Sequence, residues 1–333
     1  MKKTVLILFL LMLISCKKQE KESIYFQTNS VGIQVGGVQK VAIKTPKGTF
    51  QVWTKRIGNN PKVKLLLLNG GPGMSHEYFE CMENFLPKEG IEFIYYDQLG
   101  TGFSDNPKDT TLWDLPRYVE ELEQVRVALH LDKNNFYVLG HSWGGILAMQ
   151  YALKYQNHLK GMIVSNMMAS CPKYGDYSKV LQKQLTPTVL QSIQDLEAKK
   201  EYSNPKYMEL LMAHYYNQHI LRLPVNDWPE PVTRSMGRLN QSLYITMQGP
   251  SEMGLSGKLT NWDVSKELKN ITIPTLVIGA QYDTMDPKYM EWMSTQFPKG
   301  MYLYCSKGSH MSMYDDQQMY MNGLLKFLKK GND

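Results

Sequence analysis

The chain has 333 residues, enough for one large α/β domain with an insertion or for two ordinary domains, and its 43% of hydrophobic residues excludes a disordered composition. The formal net charge of +6 is modest, and no Lys/Arg-rich block is interleaved with aromatics, so no nucleic-acid partner is expected. The four cysteines, at 16, 81, 171 and 305, form no C-x-x-C and no disulfide framework; no H-E-x-x-H or similar cluster calls for a metal, and no cofactor is expected.

Residues 1–15 read as an export signal. Met1-Lys2-Lys3 is a short basic start, and Val5 to Ile14 is an apolar run too short to span a bilayer. Leu13-Ile14-Ser15-Cys16 resembles the lipobox of bacterial lipoproteins, where a small residue precedes the cysteine that is lipidated. The expectation is an exported protein with a lipid anchor at Cys16, facing the periplasm or cell surface, and a tether over 16–30. Cys81, Cys171 and Cys305 are expected as buried, inert thiols.

From residue 31 the pattern changes. Residues 31–57 alternate apolar and polar, with turn signals at Gly36-Gly37 and Pro46-Lys47-Gly48, and predict an antiparallel meander with Phe50, Val52 and Trp53 in a strand. Val63 to Leu68 and Ile91 to Tyr96 are apolar runs, each interrupted once, by Lys64 and Glu92, and suit a parallel sheet covered on both faces. Tyr118, Leu122, Val125 and Leu129 recur at helical spacing. Residues 135–139, Ile163-Val164, Thr275 to Ile278 and Met301 to Tyr304 supply further strands. Strands alternating with helices predict a doubly wound α/β sheet. Residues 169–258 break that rhythm with helical periodicity, several Met and Tyr, and five prolines from Pro187 to Pro231. They read as a helical cap inserted between a first core part, 31–168, and a second, 259–333.

The stretch that organises the chemistry is Gly140-His141-Ser142-Trp143-Gly144-Gly145. It stands between the strand Phe136 to Leu139 and the helical pattern opening at Ile146. A Gly-x-Ser-x-Gly in that context is a sharp turn presenting the serine hydroxyl at its tip. A serine needs a base, and the base needs a carboxylate to orient it. Among seven histidines, His310 lies in a loop after the last strand, and Asp283 follows the strand ending at Ile278, with Asp286 as a spare acid. The order Ser142, Asp283, His310 is that of the α/β-hydrolase triad. The oxyanion needs two backbone donors, expected at Trp143 and, in Asn69-Gly70-Gly71-Pro72-Gly73, at Gly71.

Together, Asn69-Gly-Gly-Pro-Gly, Asp97-Gln-Leu-Gly-Thr-Gly-Phe-Ser, Gly-His-Ser-Trp-Gly-Gly and the Asp283 and His310 loops resemble the proline iminopeptidases. These are α/β-hydrolase serine exopeptidases that release an N-terminal proline; the resemblance spans about residues 40 to 329. It implies an α/β-hydrolase fold with an inserted helical cap, Ser142 as nucleophile, His310 as base and Asp283 as orienter. It implies Gly71 and Trp143 as oxyanion donors, and short peptides with a free N-terminus as substrates. It also implies a cap glutamate for the substrate ammonium, matched by Glu252 in Met247-Gln248-Gly249-Pro250-Ser251-Glu252. A desolvated carboxylate suits that task, since a metal-free aminopeptidase must pair with a charged amine. A second cap acid is implied too, with Glu209, Asp227 and Glu230 as candidates. Asn69 replaces a usual histidine, and Leu99 a common arginine. An esterase or amidase of the same fold, indifferent to the amine, is the alternative. A surface lipoprotein that kept the fold and lost catalysis is disfavoured by the intact trio.

Overall fold

The computed structural model describes residues 36–330, so the signal, the tether and the lipid anchor expected at Cys16 lie outside the described residues. Eight strands form one sheet: β1 (Val38–Thr45), β2 (Gly48–Ile57), β3 (Lys64–Leu68), β4 (Glu92–Asp97), β5 (Phe136–His141), β6 (Gly161–Ser165), β7 (Thr275–Ala280) and β8 (Gly300–Cys305). Their spatial order is β1-β2-β4-β3-β5-β6-β7-β8. β1 and β2 form a hairpin and β2 pairs antiparallel with β4, while the pairings from β4 to β8 are parallel.

Burial follows position in the sheet. Every residue of β4, β5, β6 and β7 is buried, whereas the edge strands β1 and β8 are largely half-buried or exposed. The pleat divides the core in two. Leu66, Leu68, Ile94, Tyr96 and Val138 face one side, with α1 (Leu115–Ala128) and α2 (Trp143–Tyr155). Leu65, Leu67, Phe93, Tyr95 and Leu139 face the other, with Tyr78, Phe79 and the C-terminal helix. The β3–β4 connection departs from the strand–helix–strand pattern, since it is built on a 3₁₀ run, His76–Asn84, rather than an α-helix.

Between β6 and β7 the chain forms α3 (Cys171–Gln182), α4 (Pro187–Ala198), α5 (Pro205–Leu211), a π-helical turn at Met212–Tyr216, α6 (Asn217–His219), α7 (Glu230–Gly237) and α8 (Gln241–Met247). Prolines open α4 and α5 at positions where an amide would lack a partner anyway, and Thr186 and Asn204 cap them. This insertion is fastened to the core through α7, where Arg234 pairs with Glu80 at 2.8 Å and Arg238 with the buried Glu77. After β7 come α9 (Pro287–Gln296), β8, α10 (Ser312–Asp315) and α11 (Gln317–Lys329). Cys81, Cys171 and Cys305 are buried free thiols, each pushed up to about 12 by burial.

Candidate active site

β5 runs straight into Ser142, and α2 starts at the next residue rather than near Ile146. Ser142 has φ +55° and ψ −126°, a conformation costly for a residue with a side chain. Its neighbours make it possible. A Cβ on Gly140 would lie 2.0 Å from the Gly144 carbonyl oxygen, and one on Gly144 would lie 2.1 Å from that of Leu68. Strand and helix therefore close to a distance that only glycine permits. The early helix start places the Trp143 amide among the unpaired N–H groups of a helix N-terminus, where negative charge is favoured.

His310 and Asp283 meet from separate loops. His310 Nδ1 lies 2.7 Å from Asp283 Oδ1, and Asp283 is fully buried. Burial disfavours the charged imidazole, but the charge and hydrogen bond of Asp283 outweigh it and hold the His310 pKa above its ordinary value. The carboxylate has further donors. Asn166 Nδ2 reaches Oδ2 at 2.8 Å, and the Met285 amide and Thr284 hydroxyl reach Oδ1 at 3.1 and 3.3 Å. Asn166 also donates to the Ser309 carbonyl at 3.2 Å, so one side chain ties the acid to the base loop. It stands just past β6 with φ +54°, a conformation asparagine tolerates well. Asp286, the spare acid, instead caps α9 through the Lys288 amide at 2.9 Å.

The glycine loop after β3 lies against Ser142, close enough that a Cβ on Gly70 would stand 3.0 Å from Ser142 Cβ. Gly70 and Gly71 both line the cavity in front of Ser142, and the Gly70 N–H is already donated to the Tyr78 hydroxyl at 2.7 Å. Tyr78 in turn sits 3.1 Å from His141 Nδ1, and His141 Nε2 donates to the His310 carbonyl at 2.8 Å. Burial first, then the charge of His310, pushes the His141 pKa down to about 3, so this ring stays neutral. The Trp143 indole donates to Gln98 at 2.8 Å, and Gln98 donates to the Asn69 carbonyl at 3.2 Å. Gln98 of the Asp-Gln stretch thus locks the elbow to the glycine loop. Asp97 holds the His76 amide and the Phe103 amide, both at 2.9 Å.

Ser142, His141 and His310 open onto a cavity of about 530 Å³ whose far wall is the helical insertion. Met208, Met212, Ile220, Trp228, Met236 and Leu239 make much of that wall apolar. Glu252 is the one carboxylate among the described lining residues. Tyr244 donates to its Oε1 at 2.6 Å, the Tyr174 hydroxyl lies 2.8 Å from the Glu252 carbonyl and 3.1 Å from Oε2, and the Glu252 amide donates to the Tyr216 hydroxyl at 3.3 Å. A carboxylate has about four acceptor positions, so these contacts hold it in place and leave room for a cationic ligand.

Residues 64–317 match the family model of the alpha/beta hydrolase fold. A proline iminopeptidase of Flavobacterium johnsoniae is 58% identical over 294 residues, covering 88% of this chain and 98% of that protein. The proline iminopeptidase of Chitinophaga pinensis is 56% identical over the same shares. The chain belongs to the proline iminopeptidase family of α/β hydrolases. The crystal structure of the Mycobacterium smegmatis proline iminopeptidase superposes with a TM-score of 0.77 at 26% identity, covering 88% of this chain and 98% of that one.

Within this family the two sequence departures fall behind the cavity wall. Asn69 and Leu99 are buried and line none of the cavity. Asn69 Nδ2 holds the Met74 carbonyl and so shapes the glycine loop, while the Leu99 amide donates to Glu121 at 2.9 Å. The three candidates for a second cap acid are not brought to the cavity. Glu209, Asp227 and Glu230 are all exposed, and Glu230 pairs with Arg234. Sequence reasoning missed Asn166, Tyr78 and His141 as supports. Only His141 carried a signal, its place inside the elbow.

Proposed function

We propose that the chain is a serine exopeptidase that releases an N-terminal residue, preferably proline, from short peptides. In this reading the Ser142 hydroxyl attacks the first peptide carbonyl and its proton passes to His310 Nε2. The negative oxygen of the tetrahedral intermediate accepts from the Trp143 and Gly71 amides. His310 then hands the proton to the leaving amine, and the acyl-enzyme forms. A water, deprotonated by His310, attacks the ester, which frees the amino acid and returns the proton to Ser142. Asp283 holds the imidazole with its proton on Nδ1 throughout.

What supports an aminopeptidase over an esterase is Glu252, a carboxylate on an otherwise largely apolar wall, facing the same cavity as Ser142 and His310. Its charge suits a substrate ammonium, which an ester substrate lacks. Removing one partner of a desolvated charge pair costs roughly 2–5 kcal/mol. The Glu252→Gln enzyme should therefore lose about a hundredfold in kcat/KM on a prolyl-arylamide and little on a simple acetyl ester. Equal losses on both substrates, or none on either, would remove the amine role from Glu252.

We also propose that the protein is an exported lipoprotein held at the membrane through Cys16, on the strength of the lipobox resemblance alone. Cys16→Ser should leave the membrane fraction; an unchanged distribution would place the anchor elsewhere.

A further inference from the structure

His219 ends α6 of the insertion and has no part in the chemistry above. Its ring and its backbone nevertheless touch the loops that carry Asp283 and His310. His219 Nδ1 lies 2.9 Å from the carbonyl oxygen of Tyr282, the residue before Asp283. A carbonyl only accepts, so Nδ1 carries the proton and donates. The His219 carbonyl, in turn, accepts the His310 amide at 2.9 Å. The next residues continue the seam. The Ile220 carbonyl accepts the Met311 amide and the Ser309 hydroxyl, both at 2.9 Å. The Arg222 amide donates to Asp315 at 3.1 Å, and its guanidinium lies 3.5 Å from the Tyr282 ring centroid.

We infer that His219 is a positioning residue through which the helical insertion sets the spacing of the Asp283 and His310 loops, so that filling the cavity is felt at the base. The inference rests on the triad reading of Ser142, Asp283 and His310. The core also joins the two loops, through the Tyr282 amide and the Gly308 carbonyl at 3.0 Å and through Asn166, which donates to Asp283 and to the Ser309 carbonyl, but none of these residues lines the cavity. The segment that carries His219 does. Met212 and Tyr216 of the π-helical turn, and Ile220 just beyond His219, line the cavity, and the Tyr216 hydroxyl accepts the amide of Glu252. π-Turns put an extra residue into a helix and tend to occur where function needs a displaced backbone. A substrate held at Glu252 and packed on Met212 and Ile220 bears on the strap that carries His219. Binding energy from the substrate's non-reacting part would then be realised as alignment of the base, which raises kcat rather than lowering KM.

Burial lowers the His219 pKa more than the Tyr282 carbonyl and the Asp283 charge raise it, and Arg222 lowers it too. Asp283, Glu252 and Asp315 are the charged groups that raise the His310 pKa against burial. Loosening the Asp283 contact removes the largest of these and leaves the other two. The sign follows: the His310 pKa falls, and the acid limb of the kcat/KM profile moves to lower pH.

Two variants of the full chain separate positioning from packing. His219→Phe keeps an aromatic ring beside Tyr215, now 4.9 Å away between centroids, but has no N–H. His219→Asn loses the ring and keeps an amide N–H near the place of Nδ1. The Phe variant should lose about tenfold to a hundredfold in kcat on a prolyl-arylamide, with KM within about twofold and the acid limb displaced downward. The Asn variant should recover most of the activity and the normal limb. The reverse order, Asn worse than Phe, or an unmoved acid limb in the Phe variant, would overturn the inference. Asp283→Asn checks the underlying reading separately. If it too leaves turnover intact the triad is wrong, whereas a large loss there beside a silent His219→Phe removes only the role of His219.

Discussion

The elbow at Ser142 and the pair Asp283–His310 meet at one cavity but are held in different ways. The elbow is held by backbone contact: Gly140 and Gly144 allow β5, Leu68 and α2 to close to distances no Cβ would fit, around a serine of positive φ. The pair is assembled from afar. Asn166 reaches Asp283 across 117 positions in the chain, and His219 reaches Tyr282 across 63. Backbone sterics give a rigid nucleophile indifferent to what fills the cavity. Long-range hydrogen bonds give a base whose alignment depends on several elements, one of them in the insertion.

The largest test breaks both sides at once. Ser142→Ala should lower kcat by about a millionfold while melting near the wild-type temperature, and adding His310→Ala should cost little more. Residues that act as one unit are non-additive in this way. Independent, multiplying losses would mean the two do not share a step. A serine-directed phosphonate should label the wild type and not the alanine variant.

Next comes the orienting acid. Asp283→Asn should cost about ten-thousandfold in kcat, because the imidazole loses the partner that fixes its tautomer. The pH profile supplies the sign. His310 must be neutral to act as base, and its pKa lies above the ordinary 6.5, so wild-type kcat/KM should fall as pH drops through a value above 6.5. An acid limb centred below 6.5 would show that burial, not Asp283, dominates at this ring.

Asn166→Gly gives a smaller and more pointed break. Glycine accepts the φ of +54°, so the change removes the side chain without straining the backbone. Asp283 Oδ2 and the Ser309 carbonyl then lose a buried donor, and the Ser165 and Ser312 hydroxyls lose the oxygen they donate to, at about 1–3 kcal/mol for each group left unsatisfied. Activity should fall about tenfold to a hundredfold, while phosphonate labelling of Ser142 at saturating reagent still goes to completion. Loss of stability with unchanged turnover would make Asn166 a packing residue only.

The same division explains what was legible in the sequence. The elbow could be read from six consecutive residues because the glycines its close contacts require all fall inside that stretch, even where the contact is with Leu68 of β3. The apolar stretches 65–68 of β3 and 93–96 of β4 gave the buried sheet for a similar reason, since burial on both faces leaves little place for polar alternation, while Lys64 and Glu92 at their starts pair with each other at 2.7 Å. Asp283 and His310 were readable only as types in an order, each on a loop after a strand. Asn166, Tyr78 and His219 left no mark, because an asparagine, a tyrosine or a histidine looks the same whether its partner is water or a residue a hundred positions away. The 3₁₀ run after the glycine loop was missed too. Tyr78, Phe79, Met82 and Leu86 recur there at helical spacing and are buried, but His76 and Glu77, polar and equally buried against Asp97 and Arg238, mask that stripe.

The smallest effect tests which acid orients the base. Asp283 and Asp286 stand three residues apart on one loop, and sequence order alone allows either. Their surroundings differ completely. Asp283 is fully buried and gives its oxygens to His310, Asn166, Thr284 and Met285, while Asp286 spends its Oδ1 on the Lys288 amide at the start of α9. A cap of that kind is worth about 0.5–2 kcal/mol when replaced by alanine. Pro287 at the first helical position has no amide to leave unpaired, so the loss is confined to the bond from Lys288. Asp286→Ala should therefore lower the melting temperature by a few degrees, about 2–4 °C per kcal/mol for a chain of this size, and leave kcat/KM within about twofold. A loss of turnover approaching that of Asp283→Asn, at unchanged stability, would transfer the orienting role to Asp286 and reduce Asp283 to a buried support.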